Sequence, residues 1–188
     1  MTTSRKRTSF KNELLLSLGW MAFLILVETV NASLDHGLNI YGIDPRNTGS
    51  LPGIYLTPVL HSSRYHLFSN LLPLGVFMLL VMQHGIARFW LATVFIITLG
   101  GALVWLLGRP AIHVGASGLV FGYFSFLIIA GIRSRDLKLL LIAIAVGFFY
   151  GGIIWGVIPR TGPVSWEAHL FGLFAGLIAG YLLGPRRI

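Results

Sequence analysis

The chain has 188 residues, of which 55% are hydrophobic and only 11% charged, with a formal net charge of +8. A soluble domain carries about a quarter charged residues, so the composition excludes a water-soluble globule, a disordered chain and a nucleic-acid-binding domain. Because the chain contains no cysteine, a disulfide framework, a zinc-thiolate site and a cysteine nucleophile are excluded as well. The composition therefore indicates a polytopic membrane protein.

A helix needs about 20 apolar residues to cross a bilayer, and six stretches of the chain meet this requirement approximately. In chain order they are Leu14–Val30, His66–Met82, Ala87–Leu107, Ser117–Ile132, Leu137–Ile158 and Trp166–Leu183. With their connections they use nearly the whole chain. We therefore predict an all-α membrane protein, a polytopic bundle of six transmembrane helices that forms a single domain over residues 1–188. Residues 1–13 form a short basic cytoplasmic tail. We interpret the first span that follows it as an uncleaved helix and not as a signal peptide.

The positions of lysine and arginine predict how the spans are oriented. With the N-terminus in the cytoplasm, ten basic residues lie on the inner side, namely Arg5, Lys6, Arg7, Lys11, Arg88, Arg133, Arg135, Lys138, Arg186 and Arg187. Four lie on the outer side, namely Arg46, Arg64, Arg109 and Arg160. This bias agrees with the positive-inside rule, so we expect a cell-membrane protein with both termini in the cytoplasm.

The connection between the first two spans, residues 31–65, is unusually long. It contains Pro45, Pro52 and Pro58 among short apolar clusters. A loose outer loop is one interpretation. Because long connections in compact folds are usually functional, we favour a structured outer loop that lies partly within the membrane interface.

Polar residues mark the outer ends of three spans. His66 and Asn70 open the second span, Ser117 begins the fourth, and His169 opens the sixth. In the predicted topology these three spans all run from the outside inwards, so the four side chains lie at a similar depth, a few ångströms to about 10 Å below the outer surface. A lone histidine at a helix end is commonly interfacial, but polar groups at membrane depth are costly and mark function. Together these residue types are the components of an acyl-transfer site.

Each of these residue types has a role in acyl-transfer chemistry. Serine becomes a nucleophile when a base accepts its proton, and histidine is the commonest base, so we expect a dyad of Ser117 and His169. Asn70, a second imidazole and the backbone amide of Ser117 can donate hydrogen bonds to a developing oxyanion. Asn70 follows His66 by one helical turn, which places both on the same face.

No carboxylate is expected to complete a triad. Glu167 precedes His169 by two positions and therefore points away from it on a helix. We interpret Glu167 as a first-turn acid that follows an N-cap at Ser165. Glu28, near the outer end of the first span, is interpreted as interfacial or structural.

Small residues recur every four positions in the fourth and sixth spans. They are Gly118 and Gly122 in the fourth, and Ala168, Gly172, Gly176, Gly180 and Gly184 in the sixth. Such spacing permits close helix approach, which is common in membrane proteins generally and here would bring His169 towards Ser117. Residues 110–116 do not have a helical pattern, and non-helical backbone at this depth must lie against protein or a water-filled cavity.

In these residues the chain resembles the rhomboid family of intramembrane serine proteases from the first span to the sixth. The matching motifs are His66-x-x-x-Asn70, Gly115-x-Ser117-Gly118 and Ala168-His169-x-x-Gly172-x-x-x-Gly176, with His61 ahead of the second span. The resemblance implies Ser117 as nucleophile, His169 as general base, and an oxyanion hole from His66, Asn70 and the Ser117 amide, in a cavity open to the outside. It also implies that the substrates are other transmembrane proteins in the lipid bilayer, cut in or near a span that unwinds easily, without a cofactor.

The chain departs from the family pattern at three places. The Trp-Arg pair common in the first outer loop is missing, with Pro52-Gly53 near its position. Phe121 stands where tyrosine is frequent and can still stack on the histidine, and Phe171 replaces a frequent glycine. The remaining histidines are assigned to loops or interfaces, and no set of residues suits a metal. These histidines are His36, His84 and His113.

A non-proteolytic rhomboid-like protein that binds transmembrane helices for quality control is the alternative function. Relatives of that kind usually lose the serine or the histidine, and both are present in this chain. A small transporter or channel is disfavoured because the sequence has no internal repeat.

Overall fold

The computed structural model describes residues 9–162 and 164–185. The α-helices in these two ranges are α1 (Phe10–Ser33), α2 (Gly53–Leu56), α3 (Arg64–Met82), α4 (Ile86–Leu107), α5 (Ser117–Arg133), α6 (Leu137–Tyr150) and α7 (Trp166–Leu183). Short 3₁₀ segments occur at Gly37–Tyr41, Thr48–Ser50, Thr57–Val59 and Gly151–Val157. Because the described ranges contain no β-strand, the predicted all-α fold is confirmed.

Some of the basic residues that predict the orientation lie outside the described residues. They are Arg5, Lys6 and Arg7 of the tail, and Arg186 and Arg187 at the other end. The cytoplasmic placement of both termini stays a prediction.

All six predicted spans are helical, and the chain is a multi-pass membrane protein. α1, α3, α4, α7 and the stretch Leu137–Val157 are each long and apolar enough to cross a bilayer. α5 is an apolar helix of only 17 residues. The first span is longer than predicted because Ser9 caps it, its hydroxyl accepting a hydrogen bond from the Lys11 amide at 3.3 Å.

The sequence predicts the fifth span as one stretch over Leu137–Ile158, but the span is not one continuous α-helix. Its α-helix ends at Tyr150, and the chain continues as a 3₁₀ segment that begins with Gly151 and Gly152. A glycine costs about 1 kcal/mol relative to alanine inside a helix. Two consecutive glycines therefore favour the change of helix type at this point.

α5 is the most enclosed of the spans. Twelve of its residues are buried, and it packs against α3, α4, α6 and α7. The largest buried side chains of the core, Phe77 of α3, Phe89 of α4, and Tyr123 and Phe126 of α5, belong to this centre. Because α5 contacts helices rather than lipid on most sides, its length need not match the bilayer thickness.

The small residues of α5 and α7 bring these two helices into backbone contact. A methyl group added to Gly172 would lie 2.9 Å from Cα of Gly118, and one added to Gly176 would lie 2.7 Å from the carbonyl carbon of Gly122. The Ser125 hydroxyl of α5 donates a hydrogen bond to the Leu173 carbonyl of α7 at 2.7 Å. Van der Waals packing of this kind, with interhelical hydrogen bonds, associates helices within a membrane.

The connection between α1 and α3 supports the non-helical segment ahead of α5. Ile43 and His113 exchange backbone hydrogen bonds of 3.0 and 2.8 Å, and the Gly115 amide donates to the Thr57 carbonyl at 2.9 Å. The Thr57 hydroxyl donates to the His113 carbonyl at 3.0 Å. Several backbone groups of the segment are therefore hydrogen-bonded to protein, one of the two environments that the sequence analysis expects.

Candidate active site

Ser117 is the first residue of α5, and its side chain is buried. α1, α3, α6 and α7 all have a side-chain N-cap, whereas α5 begins after Ala116 without one. Within the part of the chain that the structure describes, the Ser117 amide makes no hydrogen bond. This amide and the positive end of the α5 dipole can therefore stabilise negative charge beside the hydroxyl.

His169 lies in the first turn of α7, where three contacts fix its position. The N-cap Ser165 accepts a hydrogen bond from the Ala168 amide at 3.2 Å. Nδ1 of His169 lies 2.9 Å from the Gly156 carbonyl oxygen. The ring stacks on Phe121 with 4.2 Å between centroids and 8° between planes. Phe121 thus makes the stacking contact that the sequence analysis expects of it.

The Gly156 contact determines which ring nitrogen of His169 can act as a base. A carbonyl oxygen only accepts hydrogen bonds, so Nδ1 carries the proton. Nε2 then keeps its lone pair and can accept a proton from a hydroxyl. The contact resembles the one by which a carboxylate orients the histidine of a catalytic triad.

Ser117 and His169 stand at adjoining points of two helices in contact. The next residue after Ser117, Gly118, faces the residue before His169, since a methyl added to Gly118 would lie 3.2 Å from the Ala168 carbonyl oxygen. Among residues 9–162 and 164–185, no hydrogen bond joins the Ser117 hydroxyl to His169. In unliganded enzymes such bonds are often long, and they tighten when substrate binds.

His66 and Asn70 lie in the first turns of α3. The His66 ring packs on Gly115, whose added methyl would lie 2.5 Å from Cε1 and 2.8 Å from Nε2. Gly115 has a φ of +123°, which favours glycine. The Asn70 amide is buried and donates one hydrogen bond to the His66 carbonyl at 2.9 Å. The structure therefore places His66 against the segment that leads into Ser117, with Asn70 one turn further along.

His61 forms a hydrogen bond with the backbone of Ala116, the residue before Ser117. Its Nε2 accepts a hydrogen bond from the Ala116 amide at 3.3 Å, and its ring packs edge-on against His66 at 5.2 Å. Burial, with a smaller contribution from His66, lowers the pKa of His61 from 6.5 to about 3. The neutral form that can accept the Ala116 hydrogen bond is therefore strongly favoured.

This lowered pKa predicts acid sensitivity of the fold. Between pH 6.5 and about 3, the unfolded chain binds a proton at His61 that the folded protein does not, so the free energy of unfolding should fall as the pH falls. Denaturant titration in detergent at several pH values measures this slope. His61→Gln should lower the slope, whereas His36→Gln, at a partly exposed histidine, serves as the control. Equal slopes for wild type and His61→Gln would contradict this prediction.

Among the described residues, no hydrogen bond or ion pair joins an acidic side chain to His169. Glu167 is in the first turn of α7, as predicted, but it is buried and its Oε1 lies 3.4 Å from Nε of Arg109. Glu28 is also buried, and its Oε1 lies 3.0 Å from Nε2 of His36. Glu167 therefore has an arginine partner and Glu28 a histidine partner, and neither carboxylate is the hydrogen-bond partner of His169.

The other histidines lie in connections, as expected, although two are more buried than a loop position implies. His113 lies ahead of α5, where its Nδ1 is 2.6 Å from the Ser165 hydroxyl. His84, between α3 and α4, packs edge-on against Phe126. Within the described ranges, no group of three or more histidine, aspartate or glutamate side chains could hold a metal ion.

Sequence reasoning missed Gly156 and Arg109. Gly156 acts through its carbonyl, which every residue type has, so no sequence signal identifies it. Arg109 counts in the sequence only as one of the outer basic residues, and its partners lie more than 50 positions away.

The fold and the site define a multi-pass helical membrane protein with serine, histidine and asparagine at adjoining helix ends. The family model of the Rhomboid domain matches residues 49–186. The chain therefore belongs to the rhomboid family, whose members are generally intramembrane serine proteases.

Mycobacterial proteins are similar to this chain over almost its whole length. Uncharacterized proteins of Mycobacterium bovis and Mycobacterium tuberculosis are each 39% identical over 99% of this chain and 81% of their own length. An uncharacterized protein of Mycobacterium leprae is 39% identical over 90% of this chain and 71% of its own length.

Proposed function

We propose that this protein is a serine endopeptidase that hydrolyses peptide bonds in or near the transmembrane segments of other membrane proteins. The observation that carries the proposal is the His169 environment beside the start of α5. Phe121 and the Gly156 carbonyl fix the ring, and the Gly156 contact leaves Nε2 as a base. We place the site near the outer face of the cell membrane, as the distribution of basic residues predicts.

The first chemical step joins Ser117 to the substrate. Its Oγ attacks the scissile carbonyl carbon, and His169 Nε2 accepts the hydroxyl proton. The Ser117 amide, Asn70 and His66 donate hydrogen bonds to the resulting oxyanion. His66 can do so from Nε2 if its Nδ1 accepts a hydrogen bond from the Ser62 hydroxyl, which lies 3.1 Å away.

The second step restores the enzyme. His169 gives its proton to the leaving amine, the C–N bond breaks, and an ester with Ser117 remains. Water then attacks the ester and gives a proton to His169, and the Ser117 oxygen leaves with that proton. The products are one new carboxylate and one new amine, and no cofactor takes part.

Reconstituted protein and a fluorescent single-span reporter test the proposal. The reporter carries glycine and other helix-weakening residues in its span, and a matched reporter has a uniform leucine span. We expect cleavage of the first reporter, with the new termini mapped by mass spectrometry to the span or its edge. Stable binding without any product would contradict the proposal and support the helix-binding alternative.

A further inference from the structure

Arg109, just beyond the end of α4, connects α4 to the chain that leads into α7. Its Nη1 donates to the Arg160 carbonyl at 3.1 Å, and its Nη2 donates to the carbonyls of Gly162 and Val164 at 3.0 and 2.8 Å. One planar guanidinium group thus holds three carbonyls of one connection. Arginine suits such a position because its donors are arranged in a rigid fork.

The same guanidinium group also contacts the first turn of α7. Its Nε lies 3.4 Å from Oε1 of Glu167. Glu167 is 2% exposed, and neither carboxylate oxygen has a hydrogen bond among the described residues. A buried carboxylate needs a compensating charge. Arg109 supplies this positive charge to Glu167, which stands two positions before His169.

A second contact from the same segment reaches α7. His113 Nε2 lies 3.1 Å from the Arg109 carbonyl, and its Nδ1 lies 2.6 Å from the hydroxyl of Ser165, the N-cap of α7. The chain between α4 and α5 therefore contacts the start of α7 at two residues, Ser165 and Glu167. The connection that Arg109 holds begins after Gly156, whose carbonyl contacts the His169 ring, and ends at α7, which carries His169.

We infer that Arg109 is a positioning residue for the reaction proposed above: through its carbonyl contacts and Glu167, it fixes the start of α7 and thereby the His169 ring beside Ser117. The inference rests on the proposed function for its effect on cleavage. Its structural part, the immobilisation of the connection, can be measured without any cleavage.

The natural chain has no cysteine, so a single Thr161→Cys substitution gives one site for a nitroxide label on this connection. In detergent, we expect Arg109→Gln to increase the mobility of the label in its electron paramagnetic resonance spectrum. Arg109→Lys should give an intermediate spectrum because the donors of an ammonium group lie on one nitrogen and cannot span the carbonyls as the guanidinium fork does. Arg46→Gln is the matched control, since Arg46 holds the carbonyls of Leu106 and Gly108 at the same end of α4 but does not contact this connection.

Cleavage of the reporter is measured on the same variants without the label. A misplacement of about 1 Å can cost about a hundredfold in rate, so we expect Arg109→Gln to lower kcat by roughly tenfold to a hundredfold. Glu167→Gln, which removes the ion pair and preserves the shape, should lower kcat in the same direction and serves if Arg109→Gln does not fold. An unchanged label spectrum in Arg109→Gln, or in Arg109→Lys if Arg109→Gln does not fold, would overturn the inference. Increased mobility without any wild-type cleavage would contradict the proposed function instead.

Discussion

Ser117→Ala and His169→Ala are each expected to reduce cleavage of the reporter roughly 10⁴-fold or more. The serine hydroxyl supplies the bond-forming oxygen, and the histidine accepts its proton, so neither is useful without the other. The double variant should be no more damaging than either single variant, because the two residues act as a unit. The measurement is the initial rate of product formation with protein of equal amount and equal elution profile.

His36→Ala is the matched control for the histidine substitution. His36 precedes the Gly37–Tyr41 segment and contacts Glu28 rather than any residue of the site. Its loss should leave the rate within about twofold of wild type. Normal cleavage by folded Ser117→Ala or His169→Ala would show that the dyad is wrongly assigned.

Gly172→Val is expected to have the largest effect on stability. A Cβ at this position would enter the Gly118 backbone, which cannot move away as a flexible side chain can. Overpacking typically costs 1–3 kcal/mol, and a backbone collision belongs at the upper end, about 3 kcal/mol or more. For a chain of this size, that cost corresponds to a decrease in Tm of roughly 6–12 °C.

Gly19→Val is the control for this substitution. Gly19 lies within α1, and a Cβ there would meet nothing within 4 Å. Its Tm in detergent should stay close to that of wild type, while Gly172→Val unfolds at a lower temperature or fails to fold. Equal Tm values for the two variants would show that contact between α5 and α7 is looser than the structure has it.

The sequence predicts the helices well because membrane spans have a strong compositional signal. A long apolar stretch in lipid forms a helix, because a helix satisfies its backbone hydrogen bonds internally. The sequence also predicts contact between α5 and α7, because small residues four positions apart on each helix let the two backbones approach closely. The change to a 3₁₀ segment at Gly151 is a matter of local backbone conformation, which the apolar pattern does not encode.

The site could be predicted in its residues but not in its supporting contacts. Ser117, His169, His66 and Asn70 are identifiable because polar side chains at membrane depth are rare and require an explanation. The partner of His169 is a backbone carbonyl, which is invisible in sequence. The sequence identifies Arg109 only as an orientation charge, because it does not show that Glu167 is buried.

The most direct measurement of the central claim is covalent labelling of the folded wild-type protein with a fluorophosphonate in detergent. An activated serine oxygen forms a bond to phosphorus, and fluoride leaves. We predict that peptide mass spectrometry finds the adduct on Ser117, and that His169→Ala loses it because the proton acceptor is gone. No adduct on the folded wild-type protein, or an adduct on another serine that persists in His169→Ala, would contradict the assignment of Ser117 and His169 as a catalytic dyad.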